Sequence, residues 1–182
     1  MCTLLLAGAS NGSRLPCRGR CLSAVQVLKF WMMETFVRQG LNSDTDVLRI
    51  LEAEARLSLV EFRGGDRLSI EIPLIGVKWA LALEDRSLHV LVGGLDETVM
   101  GYLVARISEQ IAVIEQVFVT HDARTLGVGD ALVSAIIVWA NSNSLKSLDA
   151  LALPGDRETK NLYERSGLVA RLITVTKKLD KQ

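Results

Sequence analysis

The spacing of apolar positions divides the chain into a short list of elements. Strand-like TFVRQ (35–39) is followed by GLNSDTD, which offers helix N-caps at Asn42, Ser43 and Asp44. Next, DVLRILEAEARLSLVEF places Val47, Leu48, Leu51, Ala55, Leu59 and Val60 close to the period of an amphipathic helix, with Gly64 and Gly65 positioned to stop it. Residues 67–85 mix strand-like and helix-like patterns around Pro73 and take no assignment. From Leu88 the pattern sharpens. LHVLVGG and TVMGYLVARIS, joined at LDE, read as a hairpin, and IAVIEQVFV (111–119) extends it into an antiparallel meander.

A helix is then expected through about Ser142, a strand at SLDALAL (147–153), and a short helix over 156–167 opened by Asp156 and closed by Gly167. LVARLITVTKKL (168–179) reads as a closing β segment. Residues 1–32 show turn formers and arginines without any period, so they are expected to be disordered or loosely attached, with the folded domain spanning 33–182.

At 182 residues and 49% hydrophobic content the chain can bury one sizeable core. Twenty-one basic residues balance 21 acidic ones, without the excess or stripe of a nucleic-acid binder. The three cysteines at 2, 17 and 21 argue against a disulfide framework and for a reducing compartment. The apolar run 22–33 is interrupted by Lys29 and is too short for a membrane span of ~20 residues. A cytoplasmic protein without a membrane or metal partner is the expectation.

The chemistry is concentrated at HDARTLGVGDAL (121–132). A helix N-terminus carries unpaired N–H groups and the positive end of the helix dipole. Gly127 and Gly129 remove side chains there, and Arg124 adds a mobile positive charge, so a phosphate or pyrophosphate is the natural guest. The same glycines are also compatible with a simple turn. The spacing matches neither the P-loop nor a dinucleotide-binding G-x-G-x-x-G near the start.

VFVTHDARTLGVGDAL resembles the acetyl-CoA motif of the GNAT superfamily of N-acetyltransferases, a V-x-V strand followed by [QR]-x-x-G-x-[GA]. Downstream, DRETKNLYERSGL is similar to the second signature, N-x-x-A-x-x-L-Y-x-x-x-G-F, and ALPGDRETKNLYERSGL looks like a bacterial branch. Asp156 stands at the usual Asn, and Thr159 at the usual Ala. The element order from about 35 to 179 fits as well.

This resemblance implies an α+β fold with a mixed, mainly antiparallel sheet and helices on both faces. It implies transfer of an acetyl group from acetyl-CoA to a primary amine of a small molecule or peptide, by direct attack and without metal. Val117, Phe118 and Val119 would pair with the pantetheine arm, and the Val119 N–H would polarise the thioester carbonyl. The pyrophosphate would lie on the N–H groups of Thr125, Leu126, Gly127, Val128, Gly129 and Asp130, with Arg124 nearby and Asp156 on the pantetheine arm.

Tyr163 takes the position of the general acid, or else packs as an ordinary core aromatic. Glu115 is the candidate base if strand alternation puts it on one face with Val117 and Val119, with Gln116 opposite; otherwise it is a solvated strand carboxylate. His121 reads as an exposed loop residue and His89 as an ordinary strand residue. Two rival readings stay open: a non-catalytic acyl-CoA-binding or sensory module, and an association role for 22–33, with a homodimer allowed. Acceptor specificity is expected from residues 44–85.

Overall fold

The computed structural model describes residues 34–177, and the expectations for residues 1–32, the cysteines included, lie outside them. Five strands form one sheet in the order β1-β2-β3-β4-β5. They are β1 (Thr35–Gln39), β2 (Leu88–Leu95), β3 (Thr98–Ser108), β4 (Ile111–Val119) and β5 (Ser147–Ala150). The first four pair antiparallel and β5 joins β4 in parallel. The fold is thus α+β with a mixed, mainly antiparallel sheet, as the sequence pattern and the resemblance lead one to expect.

Helices cover both faces of that sheet. On one side lies α4 (Val128–Ser142), whose Leu132, Val133 and Ile136 are fully buried against Leu91, Leu103, Ala105 and Ile114. On the other side, α1 (Thr45–Ser58) and α3 (Trp79–Glu84) bury Leu48, Leu51 and Trp79 against Val90, Val92, Tyr102 and Val104. This alternation along β2 and β3 is the period of two that a strand imposes, here with apolar residues on both faces.

The unassigned region is helical. α2 (Gly65–Glu71) begins at the glycine pair, a 3₁₀ turn follows at Gly76–Lys78, and α3 comes next. Gly65 therefore opens a second helix rather than ending the first, because the chain turns at Gly64, whose φ is 88°. Short helices of seven and six residues around Pro73 carry too few turns for a readable period.

Asp44 also departs from its expected cap role. Its carboxylate turns back to accept from Leu41 N at 2.8 Å and from the Arg38 guanidinium at 2.6 and 2.9 Å.

A further correction concerns the end of the domain. Residues 168–177 form no strand, and Val169, Leu172, Ile173 and Val175 are exposed. β-rich composition alone does not make a strand without a paired neighbour. No helix among the described residues is long and apolar enough to cross a membrane.

Candidate active site

Strands β4 and β5 share only four register positions, from Ile111 with Ser147 to Ile114 with Ala150. Past Ile114 they diverge, and the edge of β4 from Glu115 to Val119 has no strand partner on that side. On its other side β4 stays paired, Val117 with Leu103, Phe118 with Tyr102 and Val119 with Gly101. Thr120 N donates to Met100 O at 2.9 Å. Antiparallel residues direct their backbone polar groups alternately to one neighbour and the other. The groups of Phe118 therefore face β3, while those of Val117 and Val119 face the gap. Of the three residues expected at an open edge, Val117 and Val119 turn their backbone groups towards it. The Val119 carbonyl already accepts from Arg124 Nε at 3.2 Å.

The gap opens into a cavity of about 410 Å³ bounded by α1, β4, the N-terminus of α4 and α5 (Arg157–Arg165). Residues 121–126 form a 3₁₀ helix, which ends at Gly127 with φ of 81°. That left-handed conformation favours glycine, and a side chain there would meet no atom within 4 Å. Thr125 and Leu126 lie in the last 3₁₀ turn, where i→i+3 bonding commits their amides. In α4 the first helical ring is closed by Ala131 N on Gly127 O at 3.0 Å, so Val128, Gly129 and Asp130 carry N–H groups without an intrahelical acceptor. The run of N–H groups left free is thus shorter than the run from Thr125 to Asp130 expected from sequence.

Two arginines border the start of α4. Arg124 Nη1 donates to Glu158 at 2.6 Å, and Arg165 pairs with Asp130, Nη2 to Oδ1 at 3.0 Å. Asp130 would by itself repel an anion at the helix start, and Arg165 offsets it. Arg165 was not singled out in the sequence; its position two residues past Tyr163, on the face turned to α4, is the only signal it gives.

Tyr163 is buried, with 6% of its surface exposed, yet it lines the cavity. The end of α5 fixes its backbone: Leu168 N donates to the Tyr163 carbonyl at 3.0 Å and Gly167 N to Glu164 O at 3.1 Å, around Gly167 at φ 86°. This six-to-one plus five-to-two closure explains the glycine in the signature. Burial raises the phenol above its ordinary pKa of 10.0, with a smaller contribution from Asp156. Asp156 caps α5, its carboxylate accepting from Thr159 N at 2.9 Å.

Glu115 sits elsewhere than strand alternation indicates. The β3–β4 register steps from Val104 with Gln116 to Ala105 with Ile114, so Glu115 is a bulge residue without an opposite number. A bulge shifts the alternation by one. Val117 and Val119 pack with the α4 core, whereas Gln116 turns to the α1 face and accepts from the Tyr102 hydroxyl at 2.9 Å. Glu115 pairs with Arg106, Nε to Oε1 at 2.6 Å and Nη2 to Oε2 at 3.1 Å. It still lines the cavity, at its α1 side.

His121 is exposed, as expected. His89 is buried and stacked on Trp139 with ring centroids 4.0 Å apart, its Nε2 without a partner. Among the described residues no group of three His, Cys, Asp or Glu is placed to hold a metal.

Comparison with known proteins agrees with this architecture. Residues 53–168 match the profile of the acetyltransferase (GNAT) family. No curated protein matches the sequence. Among solved structures, the chain is similar to AAC(6')-Iy in complex with the bisubstrate analogue CoA-S-monomethyl-acetylneamine, with 17% identity over 80% of this chain and 99% of that one at a TM-score of 0.59. It is similar to the ribosomal-protein-alanine N-acetyltransferase of Brucella melitensis biovar Abortus 2308, with 18% identity, coverage of 80% and 99%, and a TM-score of 0.61. A transcriptional regulator from Bacillus halodurans C-125 gives 19% identity, coverage of 80% and 100%, and a TM-score of 0.62. At these identities the structures speak for the fold alone, and the profile, which spans more than half of the sequence, is what assigns it: the chain belongs to the GNAT acetyltransferase family.

Proposed function

We propose that the protein is an acetyl-CoA-dependent N-acetyltransferase acting on a primary amine. The observation that carries this reading is the joint opening of three features into one cavity: the free edge of β4 at Val117 and Val119, the unpaired N–H groups at the start of α4, and the Tyr163 phenol. An open edge offers the pantetheine amides a strand-like partner. The N-terminus of α4 with Arg124 suits the pyrophosphate.

Those placements support the following reaction. The neutral amine attacks the thioester carbonyl carbon, forming a C–N bond as the C–S bond breaks. The Val119 N–H donates to the developing oxyanion, an effect worth about 3 kcal/mol for one donor in other acyl-transfer enzymes. Glu115, directly or through water, takes the proton lost by the ammonium, and Tyr163 protonates the departing thiolate. Burial keeps the phenol protonated across the neutral range, so it enters the reaction as a donor. The Asp156 carboxylate, spent on capping α5, gives the pantetheine arm an acceptor only. A cytoplasmic location and a domain starting near residue 33 belong to the same reading.

The test is release of free thiol from acetyl-CoA with a panel of primary amines, for wild type and Tyr163→Phe. An enzyme loses rate in the variant while keeping its affinity for acetyl-CoA. Binding of acetyl-CoA without turnover of any amine would favour the sensory-module reading instead.

A further inference from the structure

Arg56, on α1, lines the same cavity as Tyr102, Gln116, Phe118 and Tyr163. Its Nη2 is shielded and has no hydrogen-bond partner among the described residues. The carboxylate one turn before it cannot serve: Glu52 Oε1 accepts from Ile75 N at 2.8 Å, and Oε2 from Gly76 N at 2.8 Å and Trp79 Nε1 at 3.0 Å. The other acidic groups of the cavity are also engaged. Glu115 holds Arg106, Asp130 holds Arg165, Glu158 holds Arg124, and Asp156 caps α5. Glu61, exposed in the 3₁₀ turn that follows α1, makes no ion pair with Arg56 either. Among the described residues, Arg56 is the cavity's arginine without an anion.

A buried guanidinium nitrogen without an acceptor is costly, and its planar fork matches a carboxylate with two parallel hydrogen bonds. Apolar side chains line this cavity too, among them Leu59 and Phe62 just past α1, Leu68, Ile72 and Phe118. Arg124 and Arg165 stand at the start of α4, so the two positive regions serve different ends of the cavity.

Resting on the acetyltransferase reading of this cavity, we propose that Arg56 binds a carboxylate carried by the acceptor itself, which makes the acceptor class an amino acid with an apolar side chain. The reacting amine then lies towards Glu115 and the β4 edge, the carboxylate on the Arg56 fork, and the side chain among Leu59, Phe62 and Ile72.

The experiment compares L-leucine with L-leucinamide, and L-phenylalanine with L-phenylalaninamide, in wild type, Arg56→Met and Arg56→Lys. Binding is read by calorimetry on protein saturated with CoA, and turnover by thiol release from acetyl-CoA. The acid-to-amide ratio is compared between proteins, which cancels the intrinsic difference in amine basicity. The expected result is a ratio at least tenfold higher in wild type than in Arg56→Met, an intermediate ratio in Arg56→Lys, which keeps the charge without the fork, and unchanged affinity for acetyl-CoA in all three. The same ratio in all three proteins would overturn the proposal, as would failure of both acids and both amides to bind a protein that binds acetyl-CoA. Loss of acetyl-CoA binding by the wild type would instead remove the reading of the cavity on which this proposal rests.

Discussion

Arg106 occupies both oxygens of Glu115, through contacts of 2.6 and 3.1 Å, at the bulge where β4 carries one residue more than β3. The bulge swings the carboxylate to the α1 side of the cavity, and the guanidinium fixes its rotamer. Each carboxylate oxygen retains a lone pair that can accept a proton from an amine or a bridging water.

Glu115→Gln keeps the volume and the bulge but cannot take up that proton. We expect kcat to fall by about 10² or more, the usual contribution of a positioned base, with acetyl-CoA affinity unchanged. Steady-state kinetics with the best acceptor checks this. An unchanged kcat would reduce Glu115 to a strand residue holding Arg106.

Tyr163→Phe should lower kcat by about 10²-fold and leave calorimetric binding of acetyl-CoA intact. The pH dependence has a definite sign. Burial raises the phenol above 10.0, so it stays protonated up to that pH. The wild-type rate should therefore show no alkaline limb from this group between pH 7 and 10. A fall in kcat within that range that disappears in the Phe variant would contradict the assignment.

Glu52 ties α1 to the turn that leads into α3. Its fully buried carboxylate accepts from Ile75 N, Gly76 N and Trp79 Nε1. Glu52→Leu leaves the buried Trp79 indole N–H unsatisfied and turns the half-buried N–H groups of Ile75 and Gly76 to solvent, so the loss should be about 1–3 kcal/mol. Urea denaturation measures it. Glu52→Gln, which keeps acceptor capacity on one oxygen, should lose less.

His89 gives stability its own pH dependence. Desolvation lowers its pKa from the ordinary 6.5, so the folded protein holds the ring neutral, stacked on Trp139. The unfolded chain binds the proton first as the pH falls. Stability conferred by the neutral ring is thus complete well above 6.5 and is lost progressively below it, towards the lower folded value. Melting temperatures between pH 8 and 5 should decline in wild type and decline less in His89→Phe.

Much of this arrangement was legible in the sequence. The meander β2–β4 and helix α4 announce themselves through long apolar runs with tight turns, and Gly127, Gly129 and Tyr163 stand at fixed offsets within two motifs. What was not legible depends on pairing rather than order. The bulge at Glu115 exists only in the register between β3 and β4, so period-two reasoning put Glu115 on one face with Val117 and Val119, while Gln116 does lie opposite them as that reasoning expects. Likewise, residues 168–177 have strand composition, but an edge must accept them before they form one. Arg56 sits on a helix surface where arginine is common, and only the occupied oxygens of Glu52 reveal that it lacks a partner.

On the proposed reading, acetyl-CoA lies with its pyrophosphate on the start of α4. Calorimetric titration of acetyl-CoA into wild type and Gly129→Asp tests it most directly, with circular dichroism to establish that both are folded. An added Cβ at Gly129 meets Leu162 no closer than 3.4 Å, so the fold should tolerate the change, while the new carboxylate occupies and repels at the phosphate position. Wild type should bind saturably, and the variant should lose at least tenfold in affinity. Equal binding by both would contradict that reading.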